Sequence, residues 1–291
     1  LTRIPAARRD PLRASTLGTG QLMRHALERG ARRIVVGVGG SATNDGGAGM
    51  LQGLGVRFFD RSGAPLTHAL GGGDLSAIAD FDAGHLTSLM SDVGVEVMCD
   101  VDNTLCGPHG ASATFGPQKG ADARTVQQLD RGLDQFFALV EEKTGAAVKD
   151  RSGAGAAGGL AAALMALCGA RARPGIEFVL EAVGFDQLLD GAALVITAEG
   201  CVDGQTGAGK APLGVARAAA ARGVPVLVIG GALADDAEGL LGVHFDAMEA
   251  AVTRPQALSD ALAGARDNLE RAGQRVGAWL RLARRLAPRD R

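Results

Sequence analysis

The sequence predicts two α/β domains built on parallel sheets. Short apolar runs that read as strands alternate with helical stretches, and glycine-rich polar loops stand where the apolar runs end. A chain of 291 residues, 46% hydrophobic and 21% charged, has enough apolar material for one large core or two moderate ones. Its 44 glycines cluster at the ends of apolar runs, which marks punctuation between elements rather than low complexity. No internal repeat is visible.

The chain opens with a loop-like stretch, Thr2 to Arg13, and its first residue is leucine, so it reads as a sequence whose beginning is absent. Leu17 to Arg29 has Leu22, Ala26 and Leu27 on one helical face and Gly30 as its stop, and the strand Arg33 to Gly37 follows. After the loop Gly39 to Gly47, a short helix from Ala48 to Leu54 leads to the strand Val56 to Phe59 and the turn Asp60 to Gly63. Pro65 to Gly73 is loop, and Val93 to Cys99 is the next strand. The longest helix is Ala123 to Lys143, whose Val126, Leu129, Leu133, Phe136, Phe137 and Val140 keep helical spacing. Gly153 to Gly159 opens a small-residue helix through Cys168, and Ile176, Val179, Leu180 and Val183 mark another. Strand Leu194 to Thr197, a glycine-rich loop, helix Gly214 to Arg222 and strand Val224 to Ile229 form a βαβ unit, which implies a parallel sheet. The domain boundary is expected between Ala170 and Asp190. Gln256 to Leu286 is helical and arginine-rich, with Leu258, Leu262, Leu269, Val276 and Leu280 as its apolar side and the arginines as a solvated face.

A formal net charge of -2, no tyrosine and 3% aromatics provide neither a basic field nor stacking surface, which argues against nucleic acid. No window approaches the roughly 18 uninterrupted apolar residues of a membrane span, and the start carries arginines without the apolar core of a secretion signal. A cytoplasmic protein is expected. Cys99, Cys106, Cys168 and Cys201 lie far apart, so reduced and mostly buried thiols are expected rather than a zinc site or a disulfide framework.

The chemistry is concentrated in loops that follow strands. Ser41, Thr43, Asn44 and Asp45 sit among glycines between a strand and a helix, where backbone N–H groups and small polar side chains suit a phosphate or carboxylate. Such residues also cap helices, but four of them bracketed by glycine pairs exceed what a cap needs. Asp100, Asp102, Asn103, Gly107, His109 and Gly110 follow the strand Val93 to Cys99, where open α/β sheets bind ligands; Asx turns are the alternative reading. Gly204 to Lys210 fits G-x-x-x-x-G-K, but the next residue is Ala211 rather than the Ser or Thr that holds magnesium, and Pro212 follows. What survives is a phosphate-facing loop with Lys210 as a point charge and Glu199 or Asp203 as magnesium ligand or base. Gly153 to Gly159 is either a phosphate cradle or a small-residue loop that permits close packing. These readings reach a small anionic substrate and phosphoryl transfer.

The segments GVGGSATNDGGAGM, CDVDNTLCGPHGASATFGPQKGA, GAGAAGG and ITAEGCVDGQTGAGKAP, in this order, resemble the type 1 glycerate kinase family from about Arg13 to the last helix. The resemblance implies an ATP-dependent, magnesium-requiring kinase acting on D-glycerate, in most such bacterial enzymes to give 2-phosphoglycerate. It implies two α/β domains, one inserted into a Rossmann-like parallel-sheet domain, with the active site in the cleft between them. Residues 1–175 would be the inserted, substrate-side domain and residues 176–291 the C-terminal part of the Rossmann-like one, here incomplete. Ser41, Thr43, Asn44, Asp45, Asp100 and Asn103 would face the cleft from one side, and Glu199, Asp203, Gln205, Thr206 and Lys210 from the other. The family's leading segment, with PDSFKGS-like and ADGGEGT-like motifs, has no counterpart in this sequence. Ala198 and Cys201 stand where the family usually has the glycine and the arginine of TGEGRLDGQT. A buried guanidinium contributes about 1.5 to 3 kcal/mol through a charge-assisted hydrogen bond.

The mechanism this implies has magnesium on Glu199 or Asp203, ATP phosphates on Gly204, Gln205, Thr206, Gly209 and Lys210, and glycerate on Ser41, Thr43, Asn44, Asp100 and Asn103. Asp203 or Asp45 would take the hydroxyl proton while Lys210 neutralises charge on the transferred group. The partners are then ATP and D-glycerate, without nucleic acid or membrane, and a homodimer is an open alternative. The rival readings are a truncated, non-catalytic binder of small hydroxycarboxylates and a P-loop ATPase.

Overall fold

The computed structural model describes residues 1–208 and 211–286. The chain divides into two compact units, Leu1–Pro174 and Gly175–Arg291, each an α/β unit with its own parallel sheet.

The first unit runs α1 (Leu17–Glu28), β1 (Arg33–Gly37), α2 (Ala48–Gly53), β2 (Arg57–Phe59), β3 (Asp80–Asp82), α3 (Gly84–Met90), β4 (Gly94–Met98), α4 (Ala111–Phe115), α5 (Ala123–Thr144), α6 (Leu160–Leu167) and β5 (Arg171–Arg173). β1, β4 and β5 form a parallel sheet in that order, with Val36 opposite Val97 and Met98 opposite Arg173. β2 and β3 form a separate antiparallel pair with Phe58 opposite Phe81. The core gathers Ile34, Val36, Val95 and Val97 of the sheet, the rings of Phe58, Phe81, Phe136 and Phe137, and the small-residue helix α6. Phe136 meets Phe58 and Phe137 edge-on at centroid distances of 5.9 and 5.1 Å, a favoured aromatic geometry. α5 forms because Asp122 caps it, accepting from the Thr125 N–H at 2.7 Å, and because its apolar stripe keeps one face. Where α1 passes α2, a Cβ on Gly20 would run into the Met50 carbonyl, so only glycine lets the two backbones approach this closely.

The second unit runs α7 (Gly175–Ala182), α8 (Phe185–Leu188), β6 (Val195–Val202), α9 (Ala211–Ala220), β7 (Val226–Leu233), β8 (Ala247–Ala250), α10 (Leu258–Ala263) and α11 (Ala265–Leu286). β6, β7 and β8 are parallel, in that order. The central strand β7 alternates: Val226 and Val228 pack with Ala216, Ala219 and Phe245, while Leu227 and Ile229 pack with Ala272 and Val276. A parallel strand covered on both faces in this way is apolar at every position, which is why it was legible as a strand.

Several elements differ from the expectation. β6 continues through Glu199 to Val202, so Glu199 is a strand residue and not a loop residue: its pairing with β7 persists as far as Leu233. α9 begins at Ala211, and Pro212 lies buried in its first turn, where a missing N–H forfeits no helical hydrogen bond. The short elements β3, α3, α4, α8 and β8 carried too few residues to show a period. Leu258, Leu262, Leu269 and Leu280 are each about half exposed or more, so only Val276 of the expected apolar side is in the core. Cys168 is buried, Cys99 and Cys106 are half-buried and Cys201 is exposed, which corrects the expectation of mostly buried thiols. Among the described residues no helix is long and apolar enough to cross a membrane.

Candidate active site

In the first unit the loops that follow β1 and β4 meet at the carboxyl ends of these neighbouring strands. Gly39, Gly40 and Ser41 from one loop and Asp100 and Val101 from the other line a cavity of about 400 Å³, completed by Lys119 and by Ala156 and Ala157. Of the residues singled out from the sequence, Ser41 and Asp100 are thus brought to one cavity wall. Among the described residues the N–H groups of Gly39, Gly40 and Ser41 have no hydrogen-bond acceptor.

The other polar residues of these loops hold the backbone in place. Asp45 is 0% exposed. Its Oδ2 accepts from the Thr16 N–H and hydroxyl, both at 2.7 Å, and from the Gly49 N–H at 3.3 Å, while Oδ1 accepts from the Gly47 N–H at 3.2 Å. The Thr16 hydroxyl in turn accepts from the Met50 N–H at 2.8 Å. One carboxylate therefore ties the start of α1 to the start of α2. Burial pushes its pKa up, and the hydrogen bonds from Thr16, Gly47 and Gly49 oppose that rise. Asn44, equally buried, donates from Nδ2 to the Ser112 hydroxyl at 3.0 Å, and its Oδ1 has no partner among the described residues. Asn103 Nδ2 donates to the His109 carbonyl at 2.8 Å and to the Thr114 hydroxyl at 3.3 Å, closing the second loop on itself. Asn44, Asp45 and Asn103 do not line the cavity.

Lys119, which sequence reasoning passed over although it lies within GPQKGA, is 1% exposed. Its ammonium donates to the Thr43 carbonyl at 2.7 Å. Burial pulls its pKa down to about 8, with the nearby Asp45 opposing the fall. The only available signal was a lysine set between glycines in a stretch of small residues, which no periodicity rule detects.

Gly153 to Gly159 packs closely against the other two loops. The Gly46 N–H donates to Gly158 O at 2.9 Å and the Gly155 N–H to Asn103 O at 3.0 Å. Gly158 has φ 67°, and a Cβ there would run into the Thr43 carbonyl. Ala157 before it has φ 53°, the only non-glycine in that region among the described residues. Strain of this kind persists only where surrounding structure enforces it.

In the second unit Thr206, fully buried, gathers two carboxylates at the end of β6. Its hydroxyl donates to Glu199 Oε1 and accepts from the Asp203 N–H at 3.0 Å, and its own N–H donates to Asp203 Oδ1 at 3.1 Å. The turn Gly204–Ala208 starts here, with Gln205 exposed and Gly204 packed against Asp236. Gly209 and Lys210 lie outside the described residues. Among the described residues no group of three or more His, Cys, Asp or Glu converges as a metal site. Two hard oxygen donors converging on one hydroxyl do suit magnesium, which is held by one or two carboxylates together with substrate phosphates.

Parallel sheets with glycine-rich, carboxylate-bearing loops at their strand ends define an α/β protein of the class whose sites lie beyond the carboxyl ends of the strands. The model of the glycerate kinase family matches residues 1–281. The chain is 44% identical over 281 residues to a glycerate kinase of Bacillus subtilis, covering 97% of this chain and 73% of that one. It is 43% identical over 288 residues to glycerate 2-kinase of Escherichia coli, covering 99% and 75%. A crystal structure of a provisionally assigned glycerate kinase 2 from Salmonella typhimurium LT2 superposes with a TM-score of 0.82 at 43% identity, covering 98% of this chain and 74% of that one. This chain belongs to the glycerate kinase family.

Proposed function

We propose that this protein transfers the terminal phosphoryl group of ATP to D-glycerate, with 2-phosphoglycerate as the favoured product. The observation that carries the reading is the likeness, above 40% over nearly the whole chain, to proteins named glycerate kinase and glycerate 2-kinase. The loop chemistry supports it. Ser41 and Asp100 are assigned to direct contact with glycerate, and Thr43, Asn44 and Asn103 to holding the loops that present them. Gly204, Gln205, Thr206, Gly209 and Lys210 are assigned to the ATP phosphates, Lys210 as the neutralising charge. Glu199 and Asp203 would hold magnesium, which when bound offsets charge on the transferred phosphoryl group. Asp203, half-buried beside Thr206, is assigned as proton acceptor from the glycerate hydroxyl, and the more deeply buried Asp45 as the residue that positions the substrate loop. The cytoplasm is the expected compartment.

The test is turnover with D-glycerate, ATP and magnesium, read as ADP release, with the product position resolved by whether enolase alone consumes it. ADP release that depends on D-glycerate is expected. Tight glycerate binding with no turnover would assign the chain to hydroxycarboxylate binding instead, and ADP release without glycerate would indicate an ATPase.

A further inference from the structure

The cavity at the carboxyl ends of β1 and β4 contains one buried charge, Lys119, that the kinase assignment does not use. Lys119 contributes to its wall from a side chain that is 1% exposed, and among the described residues its ammonium has a single acceptor, the Thr43 carbonyl. An ammonium has three donors, and one buried with most of them unmatched is costly to maintain. Asp100 lines the same cavity, as does Leu1, whose α-ammonium donates to the Gly40 carbonyl at 2.6 Å, and Asp45 stands near the Lys119 ammonium without a direct ion pair. The Gly39, Gly40 and Ser41 N–H groups add donors that have no acceptor among the described residues, and Ala157, with its left-handed backbone, also lines the cavity. Resting on the kinase reading, we propose that Lys119 is the counter-charge for the carboxylate of a small hydroxy acid seated in this cavity, with Asp100 accepting a hydrogen bond from the acid's hydroxyl.

A dianionic phosphate suits the cavity less well than a monoanion that also offers a hydroxyl donor, because the Asp100 carboxylate lines the same wall and repels added negative charge. The volume of about 400 Å³ accommodates an acid of glycerate's size. Ligand binding gives Lys119 a second anionic neighbour, so it favours the protonated ammonium. Free Lys119 titrates near 8, so binding in mildly alkaline solution draws a proton from the buffer.

Calorimetry of D-glycerate binding without nucleotide, at about pH 6.5 and about pH 8.5 in two buffers of different ionisation heat, reads this directly. Uptake of roughly half a proton or more at the higher pH, and almost none at the lower, is expected. Lys119→Met should weaken glycerate binding about ten- to hundredfold, the loss of one charge-assisted contact. Glycerate turnover combined with pH-independent proton balance, with an unchanged Kd in Lys119→Met, or with inorganic phosphate binding more tightly than glycerate, overturns the proposal and leaves the kinase reading intact. Absence of both glycerate binding and turnover overturns both. Should Lys119→Met fail to fold, Lys119→Arg decides, because a guanidinium stays protonated at both pH values: proton uptake at the higher pH as large as in the parent overturns the proposal, and its loss supports it.

Discussion

Replacing Asp45 separates a structural tie from a proton acceptor. Its two oxygens accept from the Thr16 N–H and hydroxyl and from the Gly47 and Gly49 N–H groups, at 2.7 to 3.3 Å. In Asp45→Asn the carbonyl oxygen can keep the three contacts to Oδ2, but the amide nitrogen then faces the Gly47 N–H. One acceptor is lost and two donors oppose each other, a loss of about 1 to 3 kcal/mol, partly offset because a buried charge is removed. Asp45→Ala strips the acceptor from all these donors and should cost about 4 kcal/mol or more. Urea unfolding measures both losses. If Asp45 only ties α1 to α2, the folded fraction of Asp45→Asn retains kcat within roughly tenfold, whereas a general base replaced by an amide forfeits about 10²- to 10⁴-fold. An Asp45→Asn protein as stable as the parent but without turnover would refute the structural assignment.

Thr206→Val removes the hydroxyl shared by Glu199 and Asp203 while keeping the shape; a rise in KM for ATP with a fall in kcat/KM of about ten- to hundredfold is expected in steady-state kinetics, and unchanged kinetics would detach these carboxylates from the phosphate site. Gly158→Ala puts a Cβ against the Thr43 carbonyl at φ 67°, so thermal unfolding should show a loss of about 2 to 5 kcal/mol, and a loss below about 1 kcal/mol would mean the loops pack more loosely than described. Lys119 has a folded pKa of about 8, below its unfolded value of 10.5, so the unfolded chain holds more protons between these values and stability rises with pH across that window. The rise amounts to about 3 kcal/mol and should vanish in Lys119→Met; equal pH slopes in the two proteins would show that the ammonium is not desolvated.

Much of this was written locally. β1, β4, α5 and the apolar β7 follow from short-range pattern, because burial of one face or both leaves a period in the sequence. The polar residues Ser41, Asp100, Glu199 and Asp203 were also visible, since glycine-rich loops after strands are local features. The division of labour within those loops was not visible. Ser41 and Asp100 reach the cavity while their neighbours Asn44 and Asp45 turn inward to Ser112 and Thr16, which lie 68 and 29 residues away. Lys119 acquires its chemistry from the Thr43 carbonyl 76 residues earlier. Alternation and loop composition record what a residue needs from its nearest neighbours along the chain. Desolvation, shared hydrogen bonds and the close approach of Gly158 to Thr43 depend on segments brought together by folding, and only the tertiary structure decides them.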